Sequence, residues 1–193
     1  MPKNKIQIVW FKRDLRITDH RPIFEASINA IPTLPIYIVE TDYWKQPFAS
    51  KRHWSFIHDS LKDLRKDLKN IGQSLIVRSG SVKKIFEELS YRYNIISILS
   101  HEETGNQWTY DRDKSLQNWC LQNNISFTEF PSNGIVRRLK NRSEWSKIRN
   151  SRMKEKLVST PTNLIPLIGI EEGIIPSKED PVFENNYKGI VQK

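Results

Sequence analysis

The chain has 193 residues, of which 10% are aromatic and 27% are charged, and its formal net charge is +9. This composition excludes a disordered chain and is typical of one folded domain with a modest extension. No apolar run reaches the about 20 residues of a membrane span, and the first residues form no apolar signal segment, so we expect a cytoplasmic protein. The single cysteine, Cys120, excludes an internal disulfide and a multi-cysteine metal site. We expect it to be a buried structural thiol, and we expect no metal.

The predicted elements begin with a strand, a charged turn and a helix. Apart from Gln7, residues 6–11 are apolar, as in a strand buried on both faces, and residues 12–16 are so densely charged that the chain must leave the core there. Thr18 or Asp19 is the expected cap of the helix that follows, with Pro22 in its first turn. In a parallel sheet this turn lies at the carboxyl end of a strand, where such folds bind ligands.

Strands and helices continue to alternate along the chain. After a polar and aromatic loop at 41–49, Ser50 is the expected cap of a long amphipathic helix that Gly72 ends. The other predicted strands are 36–40, 74–78, 94–100 and 125–130, and the other predicted helices begin at Ser81, pass through Trp108 and Trp119, and begin near Ser143. This alternation predicts an α/β fold with a doubly wound, five-stranded parallel sheet, for which we expect the strand order 3-2-1-4-5.

The last part of the sequence has a different pattern. In residues 158–193 the periodicity vanishes, and isolated apolar residues stand among proline, glycine, asparagine and glutamate. This composition favours an extended C-terminal arm or linker that lies over another surface rather than a second core. We therefore predict an α/β domain over residues 1–157 and an arm over 158–193.

Common phosphate-binding and nucleophile motifs are absent from the sequence. It contains no G-x-G-x-x-G, no phosphate loop and no nucleophile elbow, and with seven glycines it excludes the usual dinucleotide cradle. Two charged loops remain as candidates for a site. The loop after the first strand offers Lys12, Arg13, Asp14 and Arg16, and the loop after the fourth strand offers His101, Glu102, Glu103 and Asn106.

With the expected strand order, these two loops face each other across a crevice, one wall basic and the other acidic. Such a crevice suits either a planar heteroaromatic ligand with hydrogen-bonding edges or a network of salt bridges that closes the fold. Glu102 and Glu103 also fit the role of acids at a helix N-terminus, which the helix dipole favours. We expect His101 to be a hydrogen-bonded turn residue rather than a catalyst.

The positive charge is concentrated in one window of the sequence. Between residues 137 and 156 nine lysines and arginines stand against Glu144 and Glu155, so that this window supplies +7 of the net +9. The basic residues are Arg137, Arg138, Lys140, Arg142, Lys147, Arg149, Arg152, Lys154 and Lys156. The window indicates either an anionic partner, such as nucleic acid or an acidic neighbouring domain, or a solvated helix face.

Several ordered motifs resemble one known family. The run Trp10-Phe11-Lys12-Arg13-Asp14-Leu15-Arg16 resembles the N-terminal signature of the photolyase/cryptochrome family, usually Trp-Phe-Arg-x-Asp-Leu-Arg followed by Asp-Asn. Here Lys12 replaces the first arginine and His20 replaces the asparagine. Residues 35–38, 50–57 and 110–113 match in the same order, so the resemblance covers about residues 6 to 155.

The resemblance implies a Rossmann-like domain that carries a light-harvesting pigment. In this family the pigment is methenyltetrahydrofolate, 8-hydroxy-deazaflavin or FMN, and it passes excitation to FAD in a separate helical domain. The excited FAD splits pyrimidine dimers in DNA. The implied pigment contacts are Phe11, Lys12, Arg13 and Asp14 on one side of the crevice, Glu102 and Glu103 on the other, and Arg52 near its mouth.

The helical FAD domain of the family needs several hundred further residues, so we expect this chain to lack it and to depend on an FAD domain in trans. We therefore expect no catalytic residue here and no repair of damaged DNA by the chain alone. The residues expected to dock nucleic acid or another domain are Arg137, Arg138, Lys140, Arg142, Lys147 and Arg149. The alternatives are a pigment-free basic binding module and a truncated remnant.

Overall fold

The computed structural model describes residues 3–131 and 134–184. Five parallel strands form one sheet in the order β3-β2-β1-β4-β5, as predicted. The strands are β1 Lys5–Phe11, β2 Thr33–Val39, β3 Ile76–Ser79, β4 Asn94–His101 and β5 Ser126–Phe130. The helices are α1 Arg21–Ile28, α2 Thr41–Trp44, α3 Lys51–Asn70, α4 Val82–Arg92, α5 Gln107–Gln122 and α6 Trp145–Met153, with 3₁₀ turns at Arg142–Glu144 and Pro181–Phe183. Of these helices, none is long and apolar enough to cross a bilayer.

The core lies on both faces of the sheet, and the central strands are accordingly mostly apolar. All seven residues of β2 are buried. Alternate side chains of β1 point into two separate clusters, one formed with α4 and α5 and the other with α1 and α3. Cys120 is a buried free thiol in the first cluster, as predicted, and burial raises its pKa to about 12.

The ends of two helices follow different rules. Ser50 caps α3 as predicted, because its hydroxyl accepts the backbone N–H of His53, and Gly72, with φ +100°, follows the helix end. The predicted cap of α1 is wrong: His20 occupies that position and its ring accepts the N–H of Ile23. Asp19 instead has φ +47°, and its carboxylate accepts the N–H of Val158.

One further prediction needs correction. The segment 41–49 is not wholly a loop, because it contains the short helix α2, whose Trp44 is buried against α3. The helix expected to begin near Ser143 is confirmed, since a 3₁₀ turn over Arg142–Glu144 leads into α6 at Trp145. None of the residues of α6 is buried.

The arm packs across the α/β domain rather than forming a core of its own in the described residues. Its Leu164 and Phe183 belong to the cluster on the α3 face. Phe183 stacks on Trp54 with ring centroids 4.0 Å apart and meets the edge of Trp44 at 5.1 Å. The arm therefore fixes α2 against α3, and α2 forms part of the wall described next.

Candidate functional site

A narrow crevice lies where β1, β2 and β4 end, at the point where the strand order reverses. The end of β1 supplies Trp10, Phe11, Lys12 and Arg13, and the opposite side supplies Glu40, Tyr43, Trp44, Glu103 and Arg112. Parallel sheets place ligand sites at such a switch point because the two neighbouring connections diverge to opposite faces.

Lys12 is a buried cation at the base of this crevice. Its side chain is 5% exposed, and its Nζ lies 3.1 Å from Asp113 Oδ2 and 3.6 Å from Glu129 Oε1. The same Nζ lies 4.7 Å from the centre of the Trp10 ring. Lys12 is thus held by two carboxylates and an aromatic face, which compensate for its loss of hydration.

Arg112 of α5 closes the crevice from the other side. Its guanidinium reaches Glu40 Oε2 at 2.6 Å, Asp113 Oδ1 at 2.8 Å and Glu103 Oε2 at 3.4 Å. It also lies over the Trp10 ring, 4.8 Å from its centre. One cation is therefore shared by three carboxylates, and Arg13 approaches Glu103 from the solvent side at 3.4 Å.

This sharing sets the protonation of the cluster. Burial raises the pKa of Glu40 to about 7, because the single guanidinium of Arg112 only partly compensates for the lost hydration of the carboxylate. Burial alone would lower the pKa of Arg112, but Glu40 and Asp113 outweigh that cost and raise it. Arg112 therefore stays a cation, whereas Glu40 titrates near neutral pH.

The ion pairs leave little free volume in the crevice, about 50 Å³. That volume holds a few water molecules, whereas sites for drug-sized ligands measure about 300–1,000 Å³. Of the two uses that the sequence left open, the network of salt bridges describes the crevice in this structure. A planar ligand enters it only if Arg112 moves.

A larger groove adjoins the crevice and shares Arg13 with it. Its volume is about 490 Å³. Leu15 and Arg16 of the turn after β1 line one side, and Arg52, His53, Phe56 and Ile57 of α3 line the other. Phe56 is 75% exposed, so the groove combines an accessible aromatic face with three arginines.

Asp14 does not face the crevice but holds two histidines together. Its Oδ2 lies 2.7 Å from His20 Nε2 and 2.5 Å from His101 Nδ1, and its Oδ1 accepts the N–H of Lys12 at 3.0 Å. Because His20 Nδ1 accepts the N–H of Ile23, the ring proton is on Nε2 and is donated to Asp14. Asp14 thus ties the turn after β1 to the start of α1 and to the end of β4.

The same three side chains could hold a metal ion by composition, but their distances fit hydrogen bonds. Two ligand atoms on one tetrahedral Zn²⁺ lie about 3.3 Å apart, given bonds of about 2.0–2.1 Å. The separations of 2.5 and 2.7 Å are shorter, and His20 Nε2 is already protonated.

The cluster lowers the pKa values of Asp14 and His20. Burial by itself would raise the pKa of Asp14, but the hydrogen bonds from His101 and His20 hold it well below its ordinary value. Burial lowers the pKa of His20, although Asp14 partly offsets this effect. The folded state therefore favours an ionised Asp14 and a neutral His20.

The residues proposed from sequence fall into three groups. Phe11, Lys12, Arg13 and Glu103 line the crevice, and Arg52 lines the neighbouring groove. Asp14 and Glu102 line neither of them. The alternative that Glu102 and Glu103 are acids of a helix N-terminus is wrong, because α5 begins only at Gln107, with Asn106 as its cap.

Sequence reasoning missed two of the principal charged groups of the crevice, Glu40 and Arg112. A signal for Glu40 was available, because it ends the predicted second strand next to the first. Arg112 lies in the stretch 110–113 that matched the family pattern, but its helical position gave no indication that it points to Trp10.

The basic residues of the 137–156 window do not act alike. Arg137 forms a two-pronged ion pair with Glu129 at 2.9 and 3.0 Å, and this pair raises the pKa of Arg137. Arg149 lies 5.8 Å from the Trp145 ring centre. The side chains of Arg138, Lys140, Arg142 and Lys147 are exposed.

Comparison with known proteins identifies the family. Residues 7–150 match the family model described as DNA photolyase. The chain belongs to the DNA photolyase family. The cryptochrome DASH of Xenopus laevis is 26% identical to it over 203 residues, which cover 92% of this chain and 38% of that protein.

Solved photolyase structures share the fold of this family member. A class III photolyase from Agrobacterium tumefaciens superposes with a TM-score of 0.74 at 21% identity, covering 93% of this chain and 40% of that one. An archaeal photolyase from Sulfolobus tokodaii is described with two FAD molecules and a novel light-harvesting cofactor. It superposes with a TM-score of 0.66 at 22% identity, covering 82% of this chain and 37% of that one. This chain thus spans about two fifths of the length of these photolyase-family proteins.

Proposed function

We propose that this chain is the light-harvesting, or antenna, domain of a photolyase/cryptochrome-like flavoprotein. Family membership supports this proposal, as does the light-harvesting cofactor described for the Sulfolobus tokodaii relative. The observation that carries it is the groove of about 490 Å³ beside the switch point of the sheet, since such sites hold ligands in parallel α/β folds.

The groove fits a planar pigment better than the crevice does. Methenyltetrahydrofolate, 8-hydroxy-deazaflavin and FMN are all planar heteroaromatic groups, and each absorbs near-ultraviolet or blue light when bound. Phe56 offers a ring face, while Arg13 and Arg52 offer donors to anionic edges of the pigment. Of the residues proposed from sequence, Arg13 and Arg52 would contact the pigment directly.

The crevice would support the pigment site rather than contain the pigment. Lys12, Arg112 and their carboxylates form a closed network that keeps the end of β1 rigid. Glu103 holds Arg13 on the groove side, so Phe11, Lys12 and Glu103 would position the groove without touching the pigment. Asp14 would position it through His20 and His101.

Spectroscopic reconstitution tests this proposal. We expect the purified chain, mixed with each of the three pigments, to bind at least one of them at one equivalent and to change its absorption spectrum. The double variant Arg52→Ala/Phe56→Ala should bind that pigment at least about tenfold more weakly, because it removes one donor and one ring face. Lys66→Ala, at an exposed position on the same helix, is the matched control and should bind as the wild type does.

Failure to bind any of the three pigments would contradict the antenna role. If the double variant binds the pigment as tightly as the wild type but Glu103→Gln binds it more weakly, the pigment site is the crevice and not the groove.

The repair reaction itself belongs to the complete flavoprotein in this proposal. The FAD-binding helical domain of such a flavoprotein would act on damaged DNA, and this chain would contribute pigment and position. We expect the chain alone, illuminated with added FAD and ultraviolet-damaged DNA, to leave pyrimidine dimers intact. Loss of dimers under these conditions would show that the chain is active without a partner.

A further inference from the structure

One wall of the groove is a turn rather than a helix. The groove residues in this turn, which follows β1, are Arg13, Leu15 and Arg16. Asp14 lies between them and is buried. Its Oδ1 accepts the N–H of Lys12, and its Oδ2 accepts one hydrogen bond from the His20 ring and one from the His101 ring. The shape of this wall therefore depends on which atoms of the two rings carry protons.

The ring of His20 uses both of its nitrogens inside the protein, where it is fully buried. Its Nε2 donates to Asp14 at 2.7 Å, and its Nδ1 accepts the N–H of Ile23 at 3.2 Å and thereby caps α1. A neutral imidazole offers one donor and one acceptor, so both contacts are satisfied only while the ring is neutral. A proton that His20 takes up must bind to Nδ1, where it meets the N–H of Ile23.

Protonation of His20 would therefore place two donors against each other in the core. The protonated Nδ1 and the N–H of Ile23 cannot share a hydrogen bond, and a buried donor without an acceptor is unfavourable. Burial of the charged ring is unfavourable as well, which is why the pKa of His20 is lowered although Asp14 partly offsets the effect. Both costs disappear if the cap opens and the ring reaches water.

The charged and titratable groups that face His20 come from the turn and from β4. They are Asp14, Arg16 and His101. Asp14 favours a proton on the ring, whereas Arg16 and a charged His101 oppose it. In α1, the neighbouring Arg21 pairs with Glu25. A proton on His101 would leave its bond to Asp14 in place, because Nδ1 already donates to that carboxylate and Nε2 would receive the proton.

The residues just before His20 connect it to the groove. Arg16 donates to the carbonyls of Thr18 and Asp19 at 3.0 and 3.2 Å, so these two residues fix its guanidinium. Asp19 has φ +47° and accepts the N–H of Val158. An aspartate keeps such a left-handed conformation because the surrounding structure holds it there. Loss of the His20 contacts would therefore free Arg16 and the backbone that carries it.

We propose that His20 is an acid-sensitive switch of the groove: a proton from solvent binds to its Nδ1, the cap of α1 opens, and the turn over residues 12–16 is released from the groove wall. Histidine is the usual residue of such switches near neutral pH. The family signature usually has asparagine at this position, and an amide side chain does not titrate. The effect of the switch on pigment affinity rests on the proposed antenna function, since the pigment would bind in this groove.

Amide hydrogen exchange between about pH 8 and about pH 5 tests the switch without any pigment. Below the midpoint of the His20 titration, uptake of one proton should lower the protection factors of the Lys12 and Ile23 amides about tenfold per pH unit. Asp14 stays ionised in this range, because its hydrogen bonds hold its pKa well below the ordinary value. The far-ultraviolet circular dichroism should not change, since the opening is local.

Two variants identify the responsible ring. In His20→Asn the same protection factors should not fall, because asparagine caps a helix well and takes up no proton. His58→Asn is the matched control, since His58 is a buried histidine of α3 that contacts Asp59 rather than the cluster. It should lose protection with falling pH as the wild type does.

Binding of FMN connects the switch to the pigment site. Below the same midpoint, the log affinity of the wild type for FMN should fall by about one per pH unit relative to that of His20→Asn. The comparison between the two proteins cancels the titration of the FMN phosphate. It also cancels that of His53, which lines the groove and would attract an anion when protonated.

Equal protection factors of the wild type and His20→Asn at about pH 5 would overturn the switch. Loss of the helical dichroism together with the protection would overturn it too, because the whole domain would then unfold. An opened turn with equal pH slopes of FMN affinity in the two proteins would overturn the link to the groove. An opened turn in a protein that binds no FMN at about pH 8 would support the switch and count against FMN as the pigment.

Discussion

Replacing Phe183 by alanine should destabilise the whole domain, although this residue lies in the arm. Its side chain is fully buried, stacks on Trp54 at 4.0 Å with an interplanar angle of 11°, and meets the edge of Trp44 at 5.1 Å. Truncating a buried phenylalanine costs about 3–5 kcal/mol, from lost transfer free energy and from the cavity left behind. We expect a loss near the upper part of that range, because both neighbouring rings are large and fixed.

Urea unfolding followed by circular dichroism and tryptophan fluorescence measures this loss. The control is Phe56→Ala. Because Phe56 is 75% exposed, this substitution should change the free energy of unfolding by less than about 0.5 kcal/mol. Fluorescence should report a changed environment of Trp54 and Trp44 in the Phe183 variant only. A loss below about 1 kcal/mol would refute the reasoning, since it would mean that the arm detaches without disturbing the α3 face.

Three further predictions concern the buried charges, each measured by urea unfolding. The pKa of Glu40 is about 7 in the folded state against 4.5 unfolded, so its burial costs up to about 3 kcal/mol of stability as pH rises from 4.5 past 7. The free energy of unfolding of Glu40→Gln should therefore increase relative to that of the wild type over this pH range. A difference between the two that does not change with pH would contradict the raised pKa. The lowered pKa of His20 gives stability that is fully present above pH 6.5 and is lost as pH falls below it. The variant His20→Asn keeps a capping group and should lose this pH dependence of stability. A variant whose stability changes with pH as the wild type's does would contradict the lowered pKa of His20. Lys12→Met should cost about 1–3 kcal/mol, because Asp113 and Glu129 lose one buried cation but keep Arg112 and Arg137 respectively; a cost under about 0.5 kcal/mol would argue that the Lys12 ion pair is hydrated.

The sheet was predictable because its signal is local. The apolar runs that became β1, β2 and β4 are bounded by turns and alternate with helices, and each strand is buried on both faces by those helices. The end of α3 was equally readable, since Gly72 has a positive φ that favours glycine. Four of the residues proposed for the site, Phe11, Lys12, Arg13 and Glu103, line the crevice because they follow strands that the topology makes neighbours.

The remaining features depend on contacts between residues distant in sequence. His20 and His101 are 81 positions apart, and only the fold brings both to Asp14. A histidine is an uncommon helix cap, so propensity pointed to Thr18 or Asp19. The helix α2 forms because Trp44 packs between α3 and the arm, and four residues carry too little periodicity to reveal it.

The path of the arm also has a consequence for self-association. β3 is an outer strand of the sheet, and an unpaired outer strand offers its backbone to any other chain. Here the carbonyl of Glu172 accepts the N–H of Val77, and a Cβ at Gly173 would lie only 2.1 Å from the carbonyl of Val77. The arm thus occupies the edge on which a second molecule would add a strand, and a chain cut before residue 158 would expose it to edge-to-edge aggregation.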